Sequence, residues 1–267
     1  MGHETNFRAP TRLDLQALSG IAMAQAGDDP ATLIIDALPA NSWQLQAGDA
    51  VVVAQKLISK CEGRLVALAD IVASPRAVEL AERTRKDPRL VELILRESTA
   101  VLRVGREVLI VEHRNGFVLA NAGIDLSNAN ADGSDAQALL LPLDADASAA
   151  RLRESLRARC GVDCGVLIID SIGRAWRRGT VGQAIGAAGL PVVVDLRGRK
   201  DLHGRVLRSS DLGHADELAA AASLLMGQAD EGRPVVLARG LVSIGDAAQP
   251  PQLASALQRA RVEDLFR

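Results

Sequence analysis

The chain comprises 267 residues, 48% hydrophobic and 24% charged, so it has apolar surface for a sizeable core and too little polar bias for disorder. Its 31 basic and 33 acidic side chains give a net charge of -2, which leaves no broad basic field for a nucleic-acid backbone. Aromatic residues make up 2% with no tyrosine, so aromatic stacking is poorly supported and ligand binding must lean on charge, backbone and metal.

Met1 to Pro10 is polar, without an h-region or cleavage site, and no apolar run approaches the ~18 residues of a membrane span. A cytoplasmic protein without membrane or nucleic-acid partners is expected. The three cysteines, Cys61, Cys160 and Cys164, form no CxxC pair and suit a reducing compartment. Asp29-Pro30 places an N-cap and a proline before a helix over Ala31 to Leu38. Ala50 to Ala54 is wholly apolar and of strand length, and it leads into Gln55-Lys56. Asp87-Pro88 repeats the capping device before a helix over Arg89 to Glu97.

Glu107 to Glu112 and Phe117 to Ala120 flank Asn115-Gly116, which predicts a β-hairpin with a type I′ turn. The small, polar run from Asn121 to about Gln137 reads as a loop of functional length. Ala147 to Arg159 is an amphipathic helix, Val166 to Ile169 a buried strand ending in Asp170-Ser171, and Pro191 to Val194 another strand. Ala215 to Met226 is an Ala/Leu-rich helix, and Pro234 to Ala238 the final strand. This alternation predicts a mixed α/β fold, continuous over 1–267, with Leu141 to Asp146 the weakest seam.

The common phosphate loops, GxxxxGK(S/T) and GxGxxG, are missing, as are GxSxG and HExxH. Carboxylates at strand ends remain. Asp125 and Asp170 are each followed by small polar residues, a pattern that suits magnesium or manganese and equally suits the capping of turns. Of the 31 basic residues only four are lysine, and two of these, Lys56 and Lys60, lie close together and could serve as point charges on phosphate. Arg174, Arg177 and Arg178 surround Trp176 and could fork carboxylate or phosphate, or lie on a solvated turn. The charge-rich stretch Asp195 to Arg205 could hold an anion or pair its own charges. Cys160 and Cys164 read as packing residues rather than a redox pair.

Five strings in order, VVAQKLISKCEGR (Val52 to Arg64), DPRLVELILRES (Asp87 to Ser98), NGFVLANAGIDLSN (Asn115 to Asn128), IIDSIGRAWRRG (Ile168 to Gly179) and ADELAAAASLLMGQAD (Ala215 to Asp230), resemble the coenzyme F420:L-glutamate ligase family from about Leu15 to Gly240. The resemblance implies the family's own α/β fold, a single ligase unit with two interleaved subdomains, and a homodimer; some members carry a second, nitroreductase-like domain, for which a chain of this length is expected to have no room. It also implies GTP-dependent joining of L-glutamate to the phospholactyl carboxylate of a deazaflavin precursor through an acyl phosphate, with release of GDP and phosphate. A divalent metal is implied, and a monovalent cation, potassium, is a further candidate.

By the same resemblance, Asp125, Asp170, Ser171 and Gln228 match metal-binding positions, and Asp125, Asp170 and Lys60 carry catalysis. Nucleotide contacts are implied at Ile21, Ala22, Met23, Ala24, Gln55, Lys56, Lys60 and Asn128, and along Met226, Gly227, Gln228, Ala229, Asp230, Glu231, Gly232 and Arg233. The chain departs from the family where a proline is usual in Gly20-Ile21-Ala22 and where GRPWR becomes Gly173-Arg174-Ala175-Trp176-Arg177. GTVGQAIG (Gly179 to Gly186) stands where many members read close to GQTDVAIG, which puts the acceptor pocket in question. A paralogous ligase acting on another carboxylate, and a non-catalytic nucleotide-binding protein, are the competing readings.

Overall fold

In the computed structural model, which describes residues 9–126, 136–241 and 252–264, strand β1 (Asp14–Ala17) leads to helix α1 (Pro30–Ala37). The Asp29 carboxylate caps that helix by accepting the Ala31 and Thr32 amides. Strand β2 (Ala50–Ala54) passes directly into helix α2 (Gln55–Cys61), and β3 (Leu65–Ala67), α3 (Pro75–Thr84) and α4 (Pro88–Arg96) follow. Asp87 caps α4 by accepting the Arg89 amide. Next come β4 (Ser98–Gly105), β5 (Val108–His113), β6 (Val118–Ala120) and β7 (Gln137–Leu139). Helix α5 (Ala145–Cys160), capped by Asp144, precedes β8 (Gly165–Gly173) and β9 (Thr180–Ala188). The short strands β10 (Val194–Asp195) and β11 (Asp211–Leu212), helix α6 (His214–Met226) and β12 (Val235–Arg239) complete the order.

The expected mixed α/β class is observed. The main sheet runs β1-β12-β2-β8-β9, with β2 and β8 parallel and the other neighbours antiparallel. Val51, Val53, Val166, Ile168, Val235 and Leu237 pack into the core under α1, α2 and α5. Their alternates Ala50, Val52, Leu167, Ile169, Val236 and Ala238 pack under α6. Burial on both faces explains why these strands read as unbroken apolar runs. Each such Val or Leu contributes roughly 1.5–3 kcal/mol.

Between α2 and α5 the chain builds a second apolar core. Leu80, Leu90, Val91 and Ile94 of α3 and α4 pack on Leu109 and Val111 of the β4-β5-β6 sheet. Strands β3 and β7 pair antiparallel beside it. The predicted hairpin forms between β5 and β6, with Val111 opposite Leu119, but its turn is not type I′. Only Gly116 of Asn115-Gly116 takes positive φ, at 88°. A longer connection closes instead, with the His113 amide donating to the Phe117 carbonyl at 2.8 Å.

Two strand predictions are corrected. The strand predicted to end at Asp170-Ser171 continues to Gly173, because β9 pairs with it from Val166 to Gly173. The strand predicted over Pro191 to Val194 reduces to β10 at Val194–Asp195. Strand β9 itself, for which the sequence offers no strand signal, owes its glycines to tertiary contacts. A Cβ on Gly182 would enter the Ala219 carbonyl of α6, and one on Gly186 would enter the Ala145 carbonyl of α5. A register shift opposite Ile168 and Ile169 turns these two positions toward opposite faces. No helix among the described residues is long and apolar enough to cross a membrane.

Candidate active site

The end of β2 sets the first group. Because α2 begins at Gln55 without an intervening loop, Lys56 and Lys60 stand one helical turn apart on one side of it. Lys56 Nζ is ion-paired with the Asp125 carboxylate. Asp125 is fixed from behind: its amide donates to the Leu139 carbonyl at 3.0 Å, and its carbonyl accepts the Leu139 amide at 2.9 Å. The end of the β5-β6 hairpin and strand β7 therefore hold this carboxylate over α2.

Asp170 lies on β8 in alternation with Ile168 and Ile172, so it faces the same side of the sheet as they do, toward α2 and α5. Its Oδ1 accepts the Ser171 amide at 2.8 Å. Burial pushes the Asp170 carboxyl up to about 6, and the negative charge of Asp125 pushes the same way, while the Ser171 amide and the Lys56 ammonium act against them. Asp125, Asp170 and Lys56 thus form one electrostatic cluster, built from three separate stretches of chain. Lys60 has no ion-pair partner among the described residues.

The other predicted positions divide around this cluster. Strand alternation sends Ser171 to the opposite face from Asp170, where its partner Gly182 lies against Ala219 and Ser223 of α6. Gln228 belongs to that side, its Nε2 donating to Ser223 Oγ at 3.1 Å. Ile21 and Ala24 pack against the core, whereas Ala22 and Met23 are exposed. The Gly27 amide donates to the Cys61 carbonyl at 2.9 Å and ties this loop to the end of α2.

Gln55 is 1% exposed and its Oε1 accepts the Ser59 hydroxyl at 2.8 Å. Helix α6 ends at Met226, and Gly227 (φ 75°) turns the chain where the Glu231 carboxyl leaves no room for a side chain. Glu231 also accepts the Ala229 amide at 2.9 Å, and Gln228, Asp230, Gly232 and Arg233 are exposed around it. Asn128 lies outside the described residues.

Arg174 and Arg177 lie at the tip of the β8-β9 hairpin, where Arg174 Nη2 donates to the Arg178 carbonyl at 3.3 Å and Trp176 is exposed. In the Asp195 to Arg205 stretch the charges meet one another: Arg197 pairs with Asp195 at 2.7 Å, and Asp201 accepts the His203 and Arg205 amides.

Sequence reading missed the buried polar group around Glu97 altogether. Glu97 is buried among Arg64 (2.8 Å), Arg114 (3.0 Å) and His113 (3.7 Å). Burial alone would raise its carboxyl, but the nearby His113 ring and the two guanidinium charges outweigh it and hold it below the ordinary range. Arg64 Nε donates further to the Leu141 carbonyl at 2.9 Å, so the cluster braces the segment that follows β7. Glu97 follows α4 and His113 ends β5, so this group forms only in three dimensions.

Among the described residues no three His, Cys, Asp or Glu side chains gather as a ready metal cage. Two carboxylates beside one lysine can instead hold a hard cation that completes its sphere with water and phosphate oxygens.

The match to known proteins is extensive. The family model for F420-0:gamma-glutamyl ligase matches residues 20–240. The chain is 48% identical over 241 residues to the coenzyme F420:L-glutamate ligase of Methanopyrus kandleri, covering 90% of this chain and 92% of that protein. It is 47% identical over 228 residues to the protein of the same name from Methanothermobacter thermautotrophicus, covering 85% and 89%. With that of Methanocaldococcus jannaschii it shares 41% over 226 residues, covering 84% and 87%. The chain belongs to the F420-0:gamma-glutamyl ligase family.

Proposed function

We propose that this chain is a GTP-dependent coenzyme F420:L-glutamate ligase acting as a homodimer in the cytoplasm. The observation that carries the reading is the convergence of Asp125, Asp170 and Lys56, joined to relatives that bear that name over most of their length. A carboxylate and an amine do not condense in neutral water, so the phospholactyl carboxylate must first be activated. Its oxygen attacks the γ-phosphorus of GTP and GDP leaves. The amine of L-glutamate then attacks the acyl carbon and phosphate leaves.

In this reading the Asp125 and Asp170 carboxylates are the oxygen donors for magnesium or manganese. When bound, such an ion neutralises phosphate charge. Lys56 holds Asp125 in place and lends positive charge to the cluster, and Lys60, one turn further along α2, is the fixed cation for the nucleotide phosphates. Ser171 and Gln228 stand apart from the carboxylate pair, so we assign the metal to the two aspartates.

Mass spectrometry of a reaction containing the deazaflavin precursor, L-glutamate, GTP and manganese tests the proposal. Each ligation appears as one glutamyl mass step. Release of phosphate with another carboxylate but none with the deazaflavin precursor would point to a paralogous ligase. Absence of product with every acceptor would leave only a nucleotide-binding protein.

A further inference from the structure

A polar pocket opens beside Ile172, two residues along β8 from Asp170. In the antiparallel register of β8 and β9, Gln183 stands directly opposite Asp170, so the two side chains share a face, and Ile172 is the next residue along it. Ile172 and Gln183 line a pocket of about 200 Å3 whose other walls include Phe117, Gln258, Arg259 and Asp264. Gln258 closes one side, its Nε2 donating to the Asn115 carbonyl at 2.8 Å. Arg259 has no ion-pair partner among the described residues, and the Gln183 amide makes no hydrogen bond there either.

Size and charge restrict what fits. Pockets for drug-sized ligands run to roughly 300–1,000 Å3, so this one is too small for a tricyclic deazaflavin or a nucleotide and suits an amino acid. It presents the Arg259 guanidinium to that space, the charge that the carboxylate of an amino acid needs. Phe117 and Ile172 offer apolar surface for a short methylene chain.

We propose that this pocket is the amino-acid subsite of the ligase, with Arg259 and Gln183 holding a carboxylate of L-glutamate. The assignment rests on the proposed function, because it places the attacking amine next to the carboxylate pair where the acyl group would be activated.

The test is steady-state kinetics of the full chain with manganese, varying L-glutamate, GTP and the deazaflavin precursor in turn. Arg259→Ala is expected to raise the KM for L-glutamate by about 10- to 100-fold, the loss of one charge-assisted hydrogen bond, with the KM values for GTP and acceptor within about twofold of wild type. Arg259→Lys recovers part of that loss, and Gln183→Leu raises the same KM by about tenfold. Arg261→Ala removes a charge from the same segment outside the pocket and is expected to leave all three constants within about twofold. An unchanged glutamate KM in Arg259→Ala, or a rise in the acceptor KM in its place, overturns the subsite while leaving the ligase reading intact. A wild-type chain that forms no glutamyl product overturns both.

Discussion

Lys56 Nζ is ion-paired with the Asp125 carboxylate, and the same ammonium opposes the forces that push the Asp170 carboxyl up to about 6. The two acids come from stretches separated by α5, and one lysine at the start of α2 couples them. Burial is the largest cause of the raised Asp170 value, and the charge of Asp125 adds to it. The site therefore carries its own titration near neutrality.

Activity is expected to follow that titration. Below about 6 Asp170 takes up a proton and loses the charge needed to hold a cation, so kcat/KM should fall by about tenfold per pH unit there. A pH-rate profile at sub-saturating manganese, where proton and cation compete for the carboxylate, checks this. A flat profile down to pH 4.5 would show that Asp170 does not titrate in the reaction.

Lys56 and Lys60 should separate by that same profile. Lys56→Ala removes a charge that lowers the Asp170 carboxyl, so the acid limb moves to higher pH and turnover falls by about 100-fold. Lys60→Ala should weaken GDP binding by about tenfold, without moving the limb. Calorimetry with GDP and manganese, alongside the two pH profiles, distinguishes the roles.

Asp170→Asn should trade activity for stability. The Asp170 carboxyl titrates above the ordinary 3.8, so the folded chain keeps a proton that the unfolded chain has already released. Between 3.8 and about 6 its contribution to stability falls as pH rises, and above that window a constant penalty remains. The amide removes the penalty. In metal-free buffer at pH 8 the variant should be more stable than wild type by at most about 3 kcal/mol, with the gain vanishing near pH 4, while turnover falls at least about 100-fold. Urea unfolding at the two pH values reads it, and a variant less stable than wild type at pH 8 speaks against the buried charge.

Glu97 should act in the opposite sense. Its carboxyl is held below the ordinary range, so it stabilises the fold above the usual carboxylate pKa and loses that effect as pH falls through its own lower value. Glu97→Gln leaves Arg64 and Arg114 without their partner and should cost about 3–5 kcal/mol at pH 7. Denaturant midpoints across pH 3 to 7 should show the gap between variant and wild type closing toward acid.

Gly182→Ala tests the packing of the edge strand. The new methyl group would meet the Ala219 carbonyl and the Ser223 side chain, and α6 would have to shift at a cost of about 1–3 kcal/mol. Gly173→Ala, on the paired strand with open space at its Cβ, is the control and should change stability by less than about 1 kcal/mol. Thermal unfolding of the pair decides it.

What could be read from the chain was mostly local. Asp29-Pro30 and Asp87-Pro88 start helices because a carboxylate and a ring with fixed φ act within one turn. The runs at Ala50–Ala54 and Val235–Arg239 are strands buried on both faces, and unbroken apolar sequence is what that burial demands. Strand β9 was illegible because its glycines answer to Ala145 and Ala219, which lie on two different helices. Asp125 and Asp170 stood out as polar residues after apolar strands, but their coupling through Lys56 depends on the β2-β8 pairing and on the bridge from Asp125 to Leu139. Ser171 follows Asp170 in sequence and still faces away from it, since a strand alternates its side chains.

The central claim is that Asp125 and Asp170 share one cation site beside the nucleotide. Isothermal titration of manganese in the presence of GDP, on wild type, Asp125→Asn, Asp170→Asn and the double variant, tests it most directly. Each single variant is expected to lose about 100-fold in manganese affinity, and the double variant to lose far less than the sum of the two, as residues acting on one ion do. Wild-type affinity in either single variant, or full additivity in the double variant, would contradict the shared site.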